Sequence, residues 1–189
     1  MNDHSDSHDS AAGHIDAVPA HLLAYIAENG IDAEVLVPGV PMPTVPLAAA
    51  AIGVSEAAIL KSLVFAAPDG QLVLAIAAGP ARIDRRRLAE AVALPKLKLA
   101  DPSVVQEATG FPAGGVAPIG HRTPLTVVLD EGAATLGIAY GGAGTEHGLL
   151  RIAPAEIVRM TGAMVAQITE PLSGEEPDSP SQSSGFDGG

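Results

Sequence analysis

The sequence predicts an α/β chain of the α+β type, with a mixed, mostly antiparallel sheet and helices outside it. Three observations carry this expectation. Strand-like runs come in hairpin-like pairs interrupted by helical stretches, so regular βαβ winding does not fit. Apolar residues make up 47% of the 189 residues, enough for a core. Aromatics are only 3% and Trp is absent, so that core is built from Leu, Val, Ile and Ala.

The elements follow in order. Pro19–Asn29 reads as a helix with Gly30 as its C-terminal glycine. Asp32–Val37 alternates as a strand. Thr44 caps a short helix that Gly53 ends, and Ser55 is a second cap. Leu60–Ala67 and Leu72–Ala78 flank the turn Pro68-Asp69-Gly70 and predict a hairpin. Asp84 caps a helix over 85–94. Asp101-Pro102 opens another that stops at Gly110. Residues 124–130 and 135–142 read as strands. Pro154 starts a last helix, ended by Gly162, and 164–169 is a final strand.

Charge is unevenly placed. Residues 1–16 carry −4 and residues 170–189 carry −5, both without a Lys or Arg. The remaining 17–169 carries only −3 of the total −12. The acidic balance is therefore a poor guide to what 17–169 binds. Both ends are polar and low in complexity, and both are expected to be disordered tails around a single domain over 17–169. His4, His8 and His14 in the first tail read as solvated. The uncharged run Val35–Ser55 contains Pro38, Pro41, Pro43 and Pro46, which argues against a membrane span. No basic leader is visible. The expectation is a cytoplasmic protein with no membrane partner. The chain has no Cys, which excludes a thiol nucleophile and thiolate zinc. No metal-ligand spacing, dinucleotide fingerprint or nucleophile elbow is present, so neither metal nor cofactor is expected.

Three features stand out. Thr109–Gly120 holds four glycines and two prolines in twelve residues. Such a loop exposes backbone N–H groups, which suit a phosphate, a ribose or an oxyanion; it equally suits a wide turn. Lys61 is the only charge between Glu56 and Asp69 and stands at the start of an apolar strand. It either snorkels to solvent or aims into a cleft. Arg82, Arg85, Arg86, Arg87, Lys96 and Lys98 are six of the ten bases. Arginines at a helix start oppose the helix dipole, so phosphate contact is a reason for them; a solvated face is the other. The scarcity of aromatics argues against base stacking along a strand. His121 follows the loop and reads as a surface histidine or a proton shuttle.

Lys61-Ser62-Leu63-Val64, the basic helix, Ala100-Asp101-Pro102, Thr109-Gly110 with Gly114–Gly120, and Pro154 through Thr161-Gly162-Ala163 occur in one order. In that order they resemble the YbaK/EbsC family of aminoacyl-tRNA deacylases, related to the editing domain of bacterial prolyl-tRNA synthetases. The resemblance covers about residues 20–169. It implies a mixed sheet curling toward a barrel with flanking helices. It also implies hydrolysis of the ester on mischarged tRNA in trans, with a synthetase as a further possible partner and no DNA. The family's lysine falls on Lys61 and its neighbouring Ser/Thr on Ser62. Its Gly-x-x-x-Pro loop falls on Gly114, Gly115, Val116, Ala117 and Pro118, followed by Ile119 and Gly120. The resemblance makes Lys61, Gly114, Gly115 and Pro118 catalytic candidates, with Ser62, Val116, Ala117, Ile119 and Gly120 around the substrate. Arg82, Arg85, Arg86, Arg87, Lys96 and Lys98 become the tRNA candidates. The family has no obvious protein nucleophile, which agrees with a chain lacking Cys and any triad. The loop departs in reading Val116-Ala117 where members often carry Ser before the proline. Two rival readings use the same residues: a non-catalytic RNA-end or synthetase-binding module, and a small-molecule ester or nucleotide hydrolase. The acidic tails could also fold over the basic stretch as a gate.

Overall fold

The computed structural model describes residues 18–170. Apart from Glu170, the tails, with the three histidines and the gate expected of them, lie outside the described residues. Among the described residues eight strands form two sheets, and neither closes into a barrel. The order along the chain is α1 (Ala20–Glu28), β1 (Ala33–Leu36), α2 (Val45–Ile52), a 3-10 turn (Glu56–Ala58), β2 (Leu60–Ala66) and β3 (Leu72–Ala78). Then come α3 (Arg85–Ala91), β4 (Lys98–Leu99), α4 (Pro102–Thr109), β5 (Thr126–Asp130), α5 (Glu131–Ala134), β6 (Ala139–Gly142), β7 (Leu149–Ile152), α6 (Pro154–Thr161) and β8 (Met164–Ala166).

The smaller sheet runs β1-β7-β6 and the larger runs β4-β2-β3-β5-β8. The β2–β3 hairpin is antiparallel, with Lys61 opposite Ala77 and Ser62 opposite Ile76. β3–β5 and β5–β8 are parallel, which requires helical crossovers. Residues Val73–Ala77 of β3 are fully buried, as a central strand covered on both faces must be. Leu60, Val64, Leu74 and Ile76 face the main core, together with Val116, Ala117 and Ile119. Phe65, Val73 and Ala75 face a second core under α3 with Leu88. Residues Leu60, Ser62 and Val64 thus share one face of β2, and Lys61, Leu63 and Phe65 the other.

Several helix ends follow their sequence signals. Thr44 accepts the Leu47 N–H, and Gly53, Gly110 and Gly162 close their helices in the left-handed conformation. Asp84 accepts from the N–H groups of Arg86 and Arg87. Other ends move. α1 is closed by Asn29, whose Nδ2 donates to the Tyr25 carbonyl, and Gly30 follows it. α3 stops at Ala91. The expected strand over 135–142 is shorter, because Asp130 caps α5 through the Gly132 N–H and β6 begins only at Ala139. The last strand ends at Ala166. Among the described residues no helix is long and apolar enough to cross a membrane.

Candidate active site

The glycine loop is anchored before it is functional. Thr109 Oγ1 donates to the Val105 carbonyl and accepts the Phe111 N–H, which turns the chain out of α4. The N–H groups of Arg122 and Thr123 donate to the carbonyls of Thr109 and Ala108, so the loop closes back on that helix. Phe111 is fully buried beneath it. Its ring stacks on His21 at 4.8 Å and meets His121 edge-on at 6.2 Å. The His121 Nε2 lies 2.9 Å from the Ala117 carbonyl. His121 is therefore half-buried and ties the loop from behind, where it lines an open hollow with Tyr25 and Arg122. Burial, more than any charge, holds both imidazoles below the ordinary histidine range.

A cavity of about 190 Å³ opens where the two sheets part. Ile59 and Tyr140 form a single parallel bridge, and beyond it β2 and β6 separate. β4 pairs with β2 only from Phe65 onward, through Leu99. Between those two points no strand pairs with the outer edge of β2 among the described residues. The cavity lies against that gap. Met42, Val45, Ala48, Ile59, Leu60 and Leu149 give it apolar walls, and Ser62, Lys61, Gly114 and Val116 also line it. The Gly114 side continues into an outer hollow of about 470 Å³ that Gly115, Gly144 and Glu146 help to line.

Lys61 shares this cavity with the loop, but its ammonium is engaged elsewhere. Nζ donates to the Gly79 carbonyl at 3.0 Å and to the Ala81 carbonyl. An ammonium has three protons, so one donor remains for a ligand. Burial lowers the Lys61 pKa, and the Asp130 carboxylate offsets part of that. Strand alternation explains the geometry: Lys61 faces away from Ser62, toward α3. There it borders a second, open groove of about 760 Å³ lined by Arg82, Arg85, Arg86, Leu63 and Leu99, with Asp84 and Glu170. Lys61 and Leu63 are common walls of groove and cavity.

The sequence-predicted residues therefore divide. Lys61, Ser62, Gly114 and Val116 line the cavity, and Gly115 lines the outer hollow. Ala117 and Ile119 are fully buried in the main core. Pro118 packs under β6, where a Cβ on Gly141 would lie 3.0 Å from its Cδ. Gly120 faces Leu22 and Tyr25 on the far side of the loop. Arg82, Arg85 and Arg86 line the groove. Arg87 turns the other way, donating to the Thr169 carbonyl and pairing with Asp84. Lys98 alternates with the groove residue Leu99 and so points to the opposite face of β4; neither it nor Lys96 lines the groove.

Not singled out from the sequence were Ala48, Gly142, Thr145, Gly148 and Leu149, which also line the cavity. The signal was a second glycine run, Gly141-Gly142-Ala143-Gly144. A Cβ on Gly142 would lie 3.0 Å from the Gly115 and Val116 backbone, so only glycine lets β6 pass this close to the loop.

Comparison with known proteins bears on the family and the fold. The aminoacyl-tRNA editing domain family matches residues 40–160. YwhH of Bacillus subtilis is 33% identical over 114 residues, 60% of this chain and 72% of its own. EbsC of Enterococcus faecalis, named as a proposed Cys-tRNA(Pro)/Cys-tRNA(Cys) deacylase, is 27% identical over 64% of this chain and 74% of its own. Among solved structures, a proposed trans-editing enzyme for prolyl-tRNA synthetase is 32% identical with a TM-score of 0.72, covering 88% of this chain and 99% of that one. APE2540 is 33% identical with a TM-score of 0.74, over 79% and 99% of the two chains. With the family match spanning most of the described residues and the same fold in these relatives, the chain belongs to the aminoacyl-tRNA editing domain family.

Proposed function

We propose that this protein is a trans-acting deacylase that hydrolyses the ester of mischarged tRNA, with the amino acid in the 190 Å³ cavity and the RNA end along the basic groove. The observation that carries this reading is the shared wall at Lys61. A small, mostly apolar hollow meets a cationic groove there, which matches a substrate that is a small organic group esterified to a polyanion. A synthetase that misacylates tRNA is the natural source of substrate. Pockets discriminate poorly among small side chains, so a second sieve is needed.

Water adds to the ester carbonyl, the bond to the ribose oxygen breaks, and that oxygen leaves with a proton as the free tRNA hydroxyl. The attacking water needs no protein nucleophile. The loop's part is to stabilise the developing oxyanion. The Gly115 N–H is already donated to the Pro112 carbonyl, so the loop amides left at the cavity wall are those of Gly114 and Val116. Lys61 holds the terminal nucleotide with its remaining donor. Arg82 and Arg85, which make no ion pair among the described residues, meet phosphates, while Arg86 is shared with Glu90 at 2.7 Å.

Single-turnover incubation with a panel of mischarged tRNAs tests this. Loss of the ester from at least one of them is expected. Salt-dependent RNA binding with no ester loss would make the protein a binding module instead. Equal hydrolysis of free aminoacyl esters and of aminoacyl-tRNA would make it a small-molecule esterase.

A further inference from the structure

The chain leaves the described residues on the rim of the basic groove. Glu170, the last of them, helps to line it beside Arg82, Arg85 and Arg86. The main chain fixes its position. The Asp84 N–H donates to the Ile168 carbonyl at 2.8 Å, and the Glu170 N–H donates to the Arg82 carbonyl at 2.8 Å. Ile83 and Thr169 form an antiparallel bridge between these two bonds, and Arg87 donates to the Thr169 carbonyl. In that register residue 168 lies opposite 84 and residue 170 opposite 82, so the chain at Glu170 is heading for 79–81. The Gly79 and Ala81 carbonyls there hold the Lys61 ammonium. The exit is thus directed at the wall that groove and cavity share.

The sequence beyond that exit is acidic. Residues 171–189 hold Glu175, Glu176, Asp178 and Asp187 and no Lys or Arg. The groove sets Lys61 and its three arginines against Asp84 and Glu170, and Arg82 and Arg85 make no ion pair among the described residues. A residue spans at most about 3.6 Å, so Glu175, Glu176 and Asp178 lie within about 30 Å of Glu170, reach enough for the groove. Tethering gives such a segment an effective concentration of about a millimolar, so weak, screened pairings suffice to fill the site. The other end of the chain differs. Residues 1–17 carry the same negative charge, but Val18 packs on Gly148 and Pro19 on Gly144, and neither lines the groove.

We infer that the acidic segment 171–189 occupies the groove of Arg82, Arg85 and Arg86 on its own chain and competes there with the phosphates of RNA. This rests on the reading of the groove as the RNA's path. A ligand displaces the segment only by bringing several phosphates at once, so the groove favours an RNA end over a free nucleotide.

The test uses the full chain and uncharged tRNA. One variant combines Glu175→Gln, Glu176→Gln and Asp178→Asn. A matched variant, Asp3→Asn with Asp6→Asn and Asp9→Asn, removes as much charge from the other end. The first is expected to bind tRNA about 5-fold or more tighter than the wild type at about 50 mM salt, and to lose that advantage at about 500 mM. The matched variant is expected to stay within about 2-fold of the wild type. Backbone-amide NMR without RNA reads the docking itself: the first variant is expected to shift Lys61 and Ile83–Arg86, and high salt to move the wild type toward the same positions. With Arg82→Gln and Arg85→Gln added, neutralising the segment is expected to change nothing further. Equal tightening by both variants would assign the effect to net charge and overturn the inference. Unmoved groove amides would overturn it too, as would a tightening that survives the loss of Arg82 and Arg85. Groove amides that move in a protein binding no tRNA at either salt would uphold the docking and overturn the RNA reading instead.

Discussion

The cavity and the groove meet at one strand and differ in almost every physical respect. The cavity holds about 190 Å³ between two sheets, with walls of Met42, Val45, Ile59 and Leu149. The groove holds about 760 Å³ beside α3 and presents Arg82, Arg85 and Arg86. On the proposed function the first selects by fit. The second, on the same proposal, attracts by charge and selects weakly, because screened surface charges reward any phosphate alike. The alternation of β2 produces both from consecutive residues, Ser62 to one side and Lys61 to the other. The proposed function thereby separates chemical choice from grip, with Lys61 on the wall that cavity and groove share.

Four substitutions or conditions break or sharpen that division. The largest effect belongs to Lys61→Met, which keeps the aliphatic stem and removes the donor. Deacylation is expected to slow by about 10²-fold or more, as for loss of one well-placed donor. Single-turnover rates check this, alongside circular dichroism to show the fold retained.

Arg82→Glu with Arg85→Glu acts on the groove alone. KM for aminoacyl-tRNA is expected to rise by about 10-fold at low salt, and the dependence of binding on salt is expected to become shallower. The rate on a minimal aminoacyl-adenosine substrate is expected to stay within about 2-fold, since that substrate brings none of the phosphates those arginines meet. A titration series at several salt concentrations reads both.

Gly142→Ala acts on the seam between β6 and the loop. Its Cβ would press on the Gly115 and Val116 backbone at 3.0 Å. A cost of about 1–3 kcal/mol is expected from overpacking, readable as a lower urea midpoint, together with slower deacylation.

The smallest effect concerns acid. His21 and His121 have folded-state pKa values below 6.5. In the window below 6.5 the unfolded chain binds more protons than the folded one, so stability is complete above it and falls as pH drops through it. Melting temperatures measured from pH 7.5 down to 5 are expected to decline in the wild type and to decline less in His21→Gln/His121→Gln.

Much of this division was legible in the residues, and the rest had a reason to be hidden. Thr44, Asp84, Gly53, Gly110 and Gly162 act locally, and each closes or caps the helix its neighbours predict. Lys98–Leu99 is too short to show alternation, and it becomes a strand only by pairing with Phe65 and Ala66. The run Leu149–Ile152 owes its strand state to β1 and β6 on either side. Arg87 looked identical to Arg85 and Arg86, but one further step around the helix aims it at Thr169. The Gly-x-x-x-Pro signal located the loop, yet Ala117, Pro118 and Ile119 turned inward because the loop must also seal the core. The unpaired edge at Ser62 depends on where β6 leaves β2 and where β4 joins it, and both partners are remote in sequence.

The most direct measurement is a backbone-amide NMR titration with non-hydrolysable aminoacyl-amide analogues of aminoacyl-adenosine. The account predicts saturable shifts at Leu60–Leu63 and at Gly114 and Val116, the residues that face one another across the cavity. Shifts confined to the hollow around Tyr25, Arg122 and Thr161 on the other side of the loop would contradict it.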